Sequence, residues 1–361
     1  LALLLGPQDE IRLLPFGDLN GTLNEAITFR AWDMSSGAAG QYVVTTPGAG
    51  AFSMGGDTAR LTVETSNDAP TLSPIGGTGK TIVQVGSSAG GGQSLVLQPD
   101  GKIVVTGVSG GGSASDFSLM RLNVEGSLDT SFDGDGKAIF PVGDLGDESR
   151  SITIQPDGKI LVAGISFNGS SYHSSVIRIN VDGTVDTTFA DAGKAIISVA
   201  SADDYALSVT VQTDGKILIG GFASAGNDWN FSLLRLNADG TLDSTFDLDG
   251  RAIIPVGVSS VGQSITVQPD GKILVAGTST SVNADFSLIR LNADGSLDTA
   301  FDGDGKVIVQ VADSQDSARS IALQPDGKIL VAGVSNFGSN ADFSLIRLSS
   351  DGSVDSSFGA N

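Results

Sequence analysis

Short runs of alternating or continuous apolar residues recur along most of the chain, and one period shows the pattern. Its four runs are Ser264–Gln268, Lys272–Ala276, Asp285–Asn292 and Lys306–Val311. The first and third runs alternate between apolar and polar residues, which is typical of strands with one exposed face. The second is almost continuously apolar, as in a strand covered on both faces, and the fourth is rich in β-branched residues. One period therefore predicts four short strands and no helix.

The connections between these runs favour antiparallel pairing. Pro269-Asp270-Gly271 presets φ at Pro and permits a positive φ at Gly, which favours a tight hairpin between the first two strands. A longer loop joins the third and fourth strands and contains a Leu/Val-Asp-x-x-Phe element in every copy. We expect the Asp to cap the turn and the Phe to plug the space between neighbouring units. The five plug residues are Phe132, Phe189, Phe246, Phe301 and Phe358.

The pattern returns at a nearly constant spacing. The Gln-x-Asp-Gly-Lys tract begins at Gln98, Gln155, Gln212, Gln268 and Gln324, at intervals of 57, 57, 56 and 56 residues. Such a period indicates a propeller, a solenoid or an array. The last copy lacks its fourth run, whereas Gly76–Val85, in front of the first copy, resembles Asp302–Val311. Pairing of Lys80–Val85 with the last copy would close a ring and leave no unpaired edge.

The sequence thus predicts an all-β fold over residues 74–361. We expect a five-bladed β-propeller of four-stranded antiparallel blades, closed in velcro fashion by the strand from the front. The repeat resembles the bacterial delta-60 repeat family. The resemblance is carried by Gln268-Pro269-Asp270-Gly271-Lys272-Ile273 and by Arg290-Leu291-Asn292-Ala293-Asp294-Gly295-Ser296-Leu297-Asp298 with Phe301. It implies a propeller within a large secreted or surface protein, with no established catalytic activity.

Residues 1–73 contain no copy of the repeat and form a separate predicted domain. Candidate strands are Glu10–Leu14, Ala26–Trp32, Gln41–Thr45 and Ala59–Thr65. The tracts Asp18-Leu19-Asn20-Gly21, Ile27-Thr28-Phe29-Arg30-Ala31-Trp32-Asp33 and Asn67-Asp68-Ala69-Pro70 resemble a bacterial cadherin-like or Ig-like adhesin module. Because a complete sandwich uses about 100 residues, we expect a truncated one and read the chain as a monomeric segment of a longer protein.

Charge restricts the partners. The chain has 41 acidic and 20 basic residues, a formal net charge of −21, and fifteen of the basic residues occupy three fixed positions of the repeat. No basic stripe remains for nucleic acid. The apolar start Leu1–Leu5 is far shorter than the roughly 20 residues of a membrane span, so we expect no membrane insertion. The absence of Cys is compatible with a secreted or cell-surface location.

Calcium is the candidate cofactor. Asp-x-Asp pairs occur in the long loop at Asp133/Asp135, Asp247/Asp249 and Asp302/Asp304, and Asp68 lies in the cadherin-like exit tract. Hard carboxylate oxygens at this density suit Ca²⁺. The alternative is that these aspartates form turns, since the junction at Asp191 lacks the pair and the spacing is not that of an EF-hand.

Enzymatic residues are not singled out by the sequence. His173 is the only His and lies in a variable loop, no Ser/His/Asp set recurs, and Cys chemistry is excluded. We expect the repeated Arg290, with Asp285 or Asp298, to form a structural ion pair rather than a ligand site. We therefore expect no catalytic residues and no enzymatic activity, although a carboxylate pair for glycoside cleavage is not excluded by 41 acids.

Sequence variation is concentrated in loops that a propeller places on one face. These are the loops between the second and third strands, at Ser109–Ser115, Phe167–Ser175, Ala223–Asn230, Thr278–Ala284 and Ser335–Ala341, together with the loops between blades. We call this side the variable-loop face. Rigid scaffolds bind through such loops. Its candidate ligand-binding residues are Tyr172, His173, Tyr205, Trp229 and Phe337.

Three functions are compatible with this pattern. The first is a spacer or adhesion module that interacts with a surface protein or glycan. The second is a propeller lectin that binds carbohydrate on the variable-loop face, and the third is a carbohydrate-active hydrolase or lyase.

Overall fold

A computed structural model gives the architecture. It describes residues 2–3, 21–29, 42–43, 57–63, 79–87, 90–110, 115–200, 202–312, 315–337 and 340–359, with the backbone alone in the first four ranges and at residue 337. The chain divides into two compact units, Leu1–Ser73 and Pro74–Asn361. None of the described residues belongs to a helix long and apolar enough to cross a membrane.

The first unit contains four described strands. They are β1 (Ala2–Leu3), β2 (Gly21–Phe29), β3 (Tyr42–Val43) and β4 (Asp57–Val63). β1 pairs with β3 and β2 with β4, both antiparallel. The predicted strand Glu10–Leu14 and the exit tract with Asp68 lie outside the described residues.

The second unit consists of five antiparallel sheets in sequence order. The first blade holds β5 (Gly90–Leu97), β6 (Ile103–Gly110), β7 (Ser115–Leu122) and β8 (Lys137–Phe140). The second holds β9 (Asp147–Ile154), β10 (Ile160–Phe167), β11 (Tyr172–Ile179) and β12 (Lys194–Ile197). The third holds β13 (Asp204–Val211), β14 (Ile217–Ala225), β15 (Asp228–Leu236) and β16 (Arg251–Ile254). The fourth holds β17 (Ser259–Val267), β18 (Ile273–Thr280), β19 (Ala284–Leu291) and β20 (Lys306–Val309), and the fifth β21 (Asp316–Leu323), β22 (Ile329–Phe337) and β23 (Asn340–Leu348).

Within each blade, consecutive strands are neighbours in the sheet. The first strands of successive blades contact one another, so β5, β9, β13, β17 and β21 lie innermost. The predicted all-β class and the five blades of the propeller are confirmed. Loops between the second and third strands also lie beside the loops between blades, as Phe167 N donating to Gly146 O and Val258 N donating to Thr280 O show. This confirms the variable-loop face.

The core lies between blades rather than within them. Phe117 and Leu119 of the first blade pack with Ile160 and Val162 of the second, and the plug residue Phe132 is fully buried among them. The plug residues of the next three junctions are also fully buried, as predicted. A Cβ at Gly164 would lie 2.8 Å from the Phe117 ring, so the missing side chain lets the blades approach.

A guanidinium holds each plug in place. Arg121 Nε donates to Asp129 Oδ2 at 2.6 Å, and its Nη1 donates to the carbonyl of Val181 in the next blade. The guanidinium also lies 4.7 Å from the centroid of the Phe132 ring. The fourth blade repeats this with Arg290 and Asp298, so Asp298 rather than Asp285 is the partner.

The fifth blade has three strands among the described residues. β23 pairs with β22 alone, and Phe343, the counterpart of the buried Phe286, is fully exposed. The segment Lys80–Val85 is not part of a sheet and runs beside the first blade, where Thr81 Oγ1 donates to Gly126 O at 3.1 Å. The closing pairing is therefore not formed in this structure and stays a prediction.

Candidate functional site

Five aromatic side chains form a row across the second and third blades at the variable-loop face. Phe167 at the end of β10 lies opposite Tyr172 at the start of β11. Tyr205 in β13 lies opposite Phe222 in β14, and Trp229 follows in β15. All five side chains are half-buried. We call them the aromatic row.

The rings of the row are in continuous contact. Ring centroids are 4.9 Å apart for Phe167 and Tyr172, 5.4 Å for Tyr172 and Tyr205, and 4.7 Å for Tyr205 and Phe222. Trp229 meets Phe222 and Tyr205 edge-on at 5.1 and 5.7 Å. These spacings are those of favourable aromatic pairs, about 4.5–7 Å. The row is therefore one apolar platform that also carries two phenol hydroxyls and an indole N–H.

Polar contacts fix the row across the blade junction. The backbone N–H of Tyr172 donates to Asp203 Oδ1 at 2.8 Å, which ties the hairpin of the second blade to the loop that enters the third. Burial raises the pKa of the Tyr205 phenol, and the charge of Asp203 raises it further. The phenol thus stays neutral at physiological pH and can both donate and accept a hydrogen bond.

The structure brings together three of the residues singled out in the sequence, namely Tyr172, Tyr205 and Trp229. It adds Phe167 and Phe222, which the sequence analysis did not select. Hairpin register was the signal that could have found Phe167, because it lies directly opposite Tyr172. Phe337 ends β22 in the fifth blade, and its side chain lies outside the described structure.

His173 belongs to a different contact. Its Nδ1 lies 3.8 Å from Asp204 Oδ2, and its Nε2 lies 2.7 Å from Asn168 Nδ2. Asp204 is fully buried and accepts the backbone N–H groups of Val199 and Ala200 at 2.7 and 2.9 Å. Burial nevertheless raises the pKa of the Asp204 carboxyl. His173 therefore links the second and third blades beside the row instead of extending it.

The positions equivalent to His173 and Asp204 are both occupied by Asp at two other junctions, as Asp116 with Asp147 and as Asp285 with Asp316. Burial, followed by the charge of Asp147, raises the pKa of Asp116, and burial with the charge of Asp316 raises that of Asp285. The inner member of each pair is anchored, since Asp147 Oδ2 accepts Val142 N at 2.8 Å. Asp116 and Asp285, on the third strand of the preceding blade, are therefore carboxyls whose charged form is disfavoured at the junction.

The Asp-x-Asp pairs form turns. Asp135, Asp249 and Asp304 each accept the backbone N–H of the residue two positions on, at 2.9 Å. The preceding members Asp133, Asp247 and Asp302 have left-handed φ values of 49°, 43° and 49°. No group of three or more His, Cys, Asp or Glu side chains that could hold a metal ion occurs in the described part of the chain. Calcium at these pairs stays a prediction, as it does at Asp68.

Solved structures resemble this fold at low identity. A protein of unknown function from Dyadobacter fermentans is 12% identical with a TM-score of 0.45, over 73% of this chain and 80% of its own. A polysaccharide lyase, the PL25 ulvan lyase, is 9% identical with a TM-score of 0.46, over 72% and 68%. A GH43 endo-arabinanase from Bacillus licheniformis is 10% identical with a TM-score of 0.37, over 72% and 95%.

These structures correct one expectation of the sequence analysis, namely that the protein is not an enzyme. The lyase and the arabinanase, which match this chain at low identity, are enzymes by their descriptions. The absence of a catalytic motif in a repeat sequence was therefore too weak a reason to exclude catalysis. The likeness concerns the fold alone and assigns no reaction to this chain.

The sequence comparisons concern the repeats. None of the curated proteins matches the chain. The family described as "Domain of unknown function (DUF5122) beta-propeller" matches five times, at residues 98–132, 155–189, 212–246, 268–301 and 324–358. Each match runs from the Gln of the first hairpin to the plug Phe. Five repeats of the chain thus match the model of a β-propeller repeat family.

Proposed function

We propose that this chain is an interaction module that binds carbohydrate on its variable-loop face, with the aromatic row as the platform. One observation carries the proposal: five half-buried rings contact one another in a line that crosses two blades. In the repeats, aromatic residues at these loop positions are otherwise rare, so the row is specific to one sector of the face.

The chemistry of the row suits a sugar chain. The C–H face of a sugar ring packs on an aromatic face, and the hydroxyls at its edge form hydrogen bonds. Tyr172, Tyr205 and Trp229 supply both, because each has an apolar ring with a polar atom. A line of rings favours several consecutive sugars over a single one.

The row is held by rigid elements. Tyr205, Phe222 and Trp229 lie on adjacent strands of one sheet, and Tyr172 is tied to Asp203 in the interblade loop. Side chains on strands keep their positions better than side chains on free loops. Little ordering of the protein would then accompany binding.

The setting of this module is part of the proposal. The resemblance of the repeats to the delta-60 family, and of residues 1–73 to a cadherin-like module, supports a place in a large secreted or cell-surface bacterial protein. The net charge of −21 and the absence of Cys are compatible with that setting. A surface glycan is the partner that the row supports best.

A glycan array probed with the purified full chain tests the proposal, followed by affinity electrophoresis in each polysaccharide that binds. We expect Trp229→Ala to weaken binding by about tenfold or more, as for an aromatic hot-spot residue. Val282→Ala is the control, since Val282 is 96% exposed on the same face and lies outside the row. Silence across the array, or full binding by the Trp229 variant, would overturn the proposal.

A further inference from the structure

A pocket of about 410 Å³ opens at the edge of the third blade, where the loop to the fourth blade leaves it. Its lining residues are Ala225, Asp228, Asn230, Ile253, Pro255, Gly257 and Val258. Asp228 and Asn230 flank Trp229 in β15, so the pocket lies against the strand that carries the last ring of the row. Its volume falls at the low end of the range of about 300–1,000 Å³ for ligand sites, which suits one small ligand unit.

Two departures from the repeat occur beside the pocket: the loop into the fourth blade is one residue shorter, with four positions from Val256 to Ser260 against five from Val142 to Asp147, and one residue is replaced. At three junctions the inner strand begins with a buried Asp, namely Asp147, Asp204 and Asp316. Each of these carboxylates accepts two successive backbone N–H groups of the incoming loop and holds that loop against the blade.

The fourth blade has Ser260 at this position. Ser260 pairs with Ser279 across the ladder, as Asp147 pairs with Ser166. Its hydroxyl is 1% exposed and forms no hydrogen bond in the described structure. The loop takes another path, in which Val258 N donates to Thr280 O at 2.8 Å. Pro255, Gly257 and Val258 of this loop form one wall of the pocket, while Val256 between them is buried in the core.

The walls of the pocket have two characters. Ile253, Pro255 and Val258 are apolar, and Val258 is 62% exposed at the rim. Asp228 supplies an exposed carboxylate, and Asn230 supplies a buried amide whose Nδ2 donates to Asp228 O at 3.3 Å. A sugar ring has an apolar C–H face and hydroxyl groups at its edge. The apolar wall of the pocket suits the C–H face, and the hydrogen-bonding groups suit the hydroxyls.

The charge around the pocket is negative. None of its lining residues is basic. The guanidinium of Arg150, which faces Tyr205 in the row, is already paired with Glu148. Asp203 and Glu148 place further negative charge beside the row. A carboxylated or sulfated sugar would meet uncompensated like charge here, which weakens its binding.

We propose that this pocket is the specificity subsite of the carbohydrate site, and that it selects an uncharged sugar over a uronate or sulfated sugar. The inference rests on the proposed function, because the sugar in the pocket belongs to a chain that stacks on the aromatic row. Asp228 accepts hydrogen bonds from neighbouring hydroxyls of that sugar, and Asn230 closes the inner end.

Paired polysaccharides test this selectivity on the full chain. The neutral probes are arabinan, galactan and xylan, and the charged probes are polygalacturonate, alginate and carrageenan, all measured by affinity electrophoresis at low ionic strength. We expect binding to at least one neutral probe and about tenfold or weaker binding to every charged probe. Raising the ionic strength should narrow the difference, since salt screens the repulsion.

Two variants locate the selectivity in the pocket. The Ser260→Asp variant, with one Gly inserted after Val258 to restore the loop length, alters no lining side chain, so it should draw the loop onto β17, close the pocket and weaken neutral binding about tenfold, with an unchanged or higher melting temperature. Asp228→Asn, at an exposed position, should reduce the discrimination against charged probes, with Asp203 and Glu148 left in place. Charged probes bound as tightly as neutral ones, or a Ser260→Asp variant that binds as the parent does, would overturn the subsite and leave the proposed function standing. Failure of the parent chain to bind any probe would overturn the proposed function itself.

Discussion

Arg235 Nε donates to Asp243 Oδ2 across 2.7 Å, and both side chains are 5% exposed. Lys216 Nζ reaches the same carboxylate oxygen at 2.8 Å. The guanidinium lies 4.7 Å from the centroid of Phe246 and donates to the carbonyl of Ala293 in the next blade. One carboxylate thus holds the cation that fixes the plug and joins two blades.

Removal of this carboxylate should be costly. We expect Asp243→Ala to lower the free energy of unfolding by about 3–5 kcal/mol, because it leaves a buried guanidinium without its partner. Urea unfolding followed by Trp fluorescence measures the change. The control is Asp239→Ala, an exposed turn residue whose Oδ1 accepts Thr241 N at 3.0 Å, with an expected loss of about 1 kcal/mol. Equal losses for the two variants would contradict this account.

The same carboxylates predict sensitivity to acid. Burial alone would raise the pKa of Asp129, Asp186 and Asp243, but hydrogen bonds from neighbouring Lys, Ser or Thr groups and the adjacent Arg hold each pKa well below its usual value of 3.8. A group with a lowered folded-state pKa stabilises the fold above its unfolded pKa, and this contribution is lost as the pH falls further.

We therefore expect the melting temperature to decline as the pH falls below about 4. Differential scanning calorimetry between pH 7 and pH 2 measures it. Asp243→Asn removes one of these titrating groups, so its melting temperature should start lower and fall less steeply. Parallel curves for the variant and the parent would show that this carboxylate is not a source of the acid sensitivity.

Repetition made most of the fold predictable. The strands, the hairpin at Pro269-Asp270-Gly271 and the plug at Phe301 are local signals. Each signal occurs in several copies of the repeat, so it is distinguishable from a chance pattern. The ion-pair partner of Arg290 was less predictable, because the sequence allowed both Asp285 and Asp298. The way the loop folds back onto the blade places Asp298, and not Asp285, beside the guanidinium.

The candidate site was less predictable, because it depends on contacts between blades. Tyr172 and Tyr205 are 33 positions apart in sequence, yet their ring centroids are 5.4 Å apart. Phe222 follows the apolar second run of its repeat, and nothing in the sequence sets it apart from that run. The pocket beside β15 lies where two departures from the repeat meet, a loop one residue shorter and Ser260 in place of Asp, and neither departure reveals a cavity from the sequence alone.

The carboxylate pair between the fourth and fifth blades should destabilise the fold at neutral pH. Burial and the charge of Asp316 raise the pKa of Asp285. A raised folded-state pKa means that stability is lost as the pH rises through it, so Asp285→Asn should stabilise the protein at pH 7 by about 0.5–2 kcal/mol. Asn230 occupies the same position in the third blade. The control Asp342→Asn, at an exposed position, should have little effect, and the gain at Asp285 should vanish near pH 3.

Calcium provides a separate test. Asp135, Asp249 and Asp304 already accept backbone N–H groups, which stabilise the turns without an ion. We expect the melting temperature to be the same in excess EDTA and in millimolar CaCl₂. Because a ligand that binds only the folded state raises its stability, a rise of several degrees with calcium, abolished by Asp304→Asn, would establish a site at the pairs.

Closure of the propeller can be tested at two phenylalanines that occupy the same position in the fourth and fifth blades. Phe286 is fully buried, and its ring lies against Gly333 of the next blade, whereas Phe343 is fully exposed. Phe286 in β19 lies opposite Val309 in β20. If Lys80–Val85 pairs with β23 in the same register, Phe343 comes to lie opposite Val83 and its ring is covered by the first blade.

The sequence predicts this closure, so we expect Phe343→Ala to lower the free energy of unfolding by about 3–5 kcal/mol, as Phe286→Ala should. Urea unfolding of both variants makes the comparison. In the three-stranded arrangement of the fifth blade, Phe343 has no buried surface to lose, and its substitution would change the stability by less than about 0.5 kcal/mol. A costly Phe286→Ala together with a neutral Phe343→Ala would therefore show that the fifth blade keeps an open edge in solution. Equal costs would show that residues 80–85 complete it.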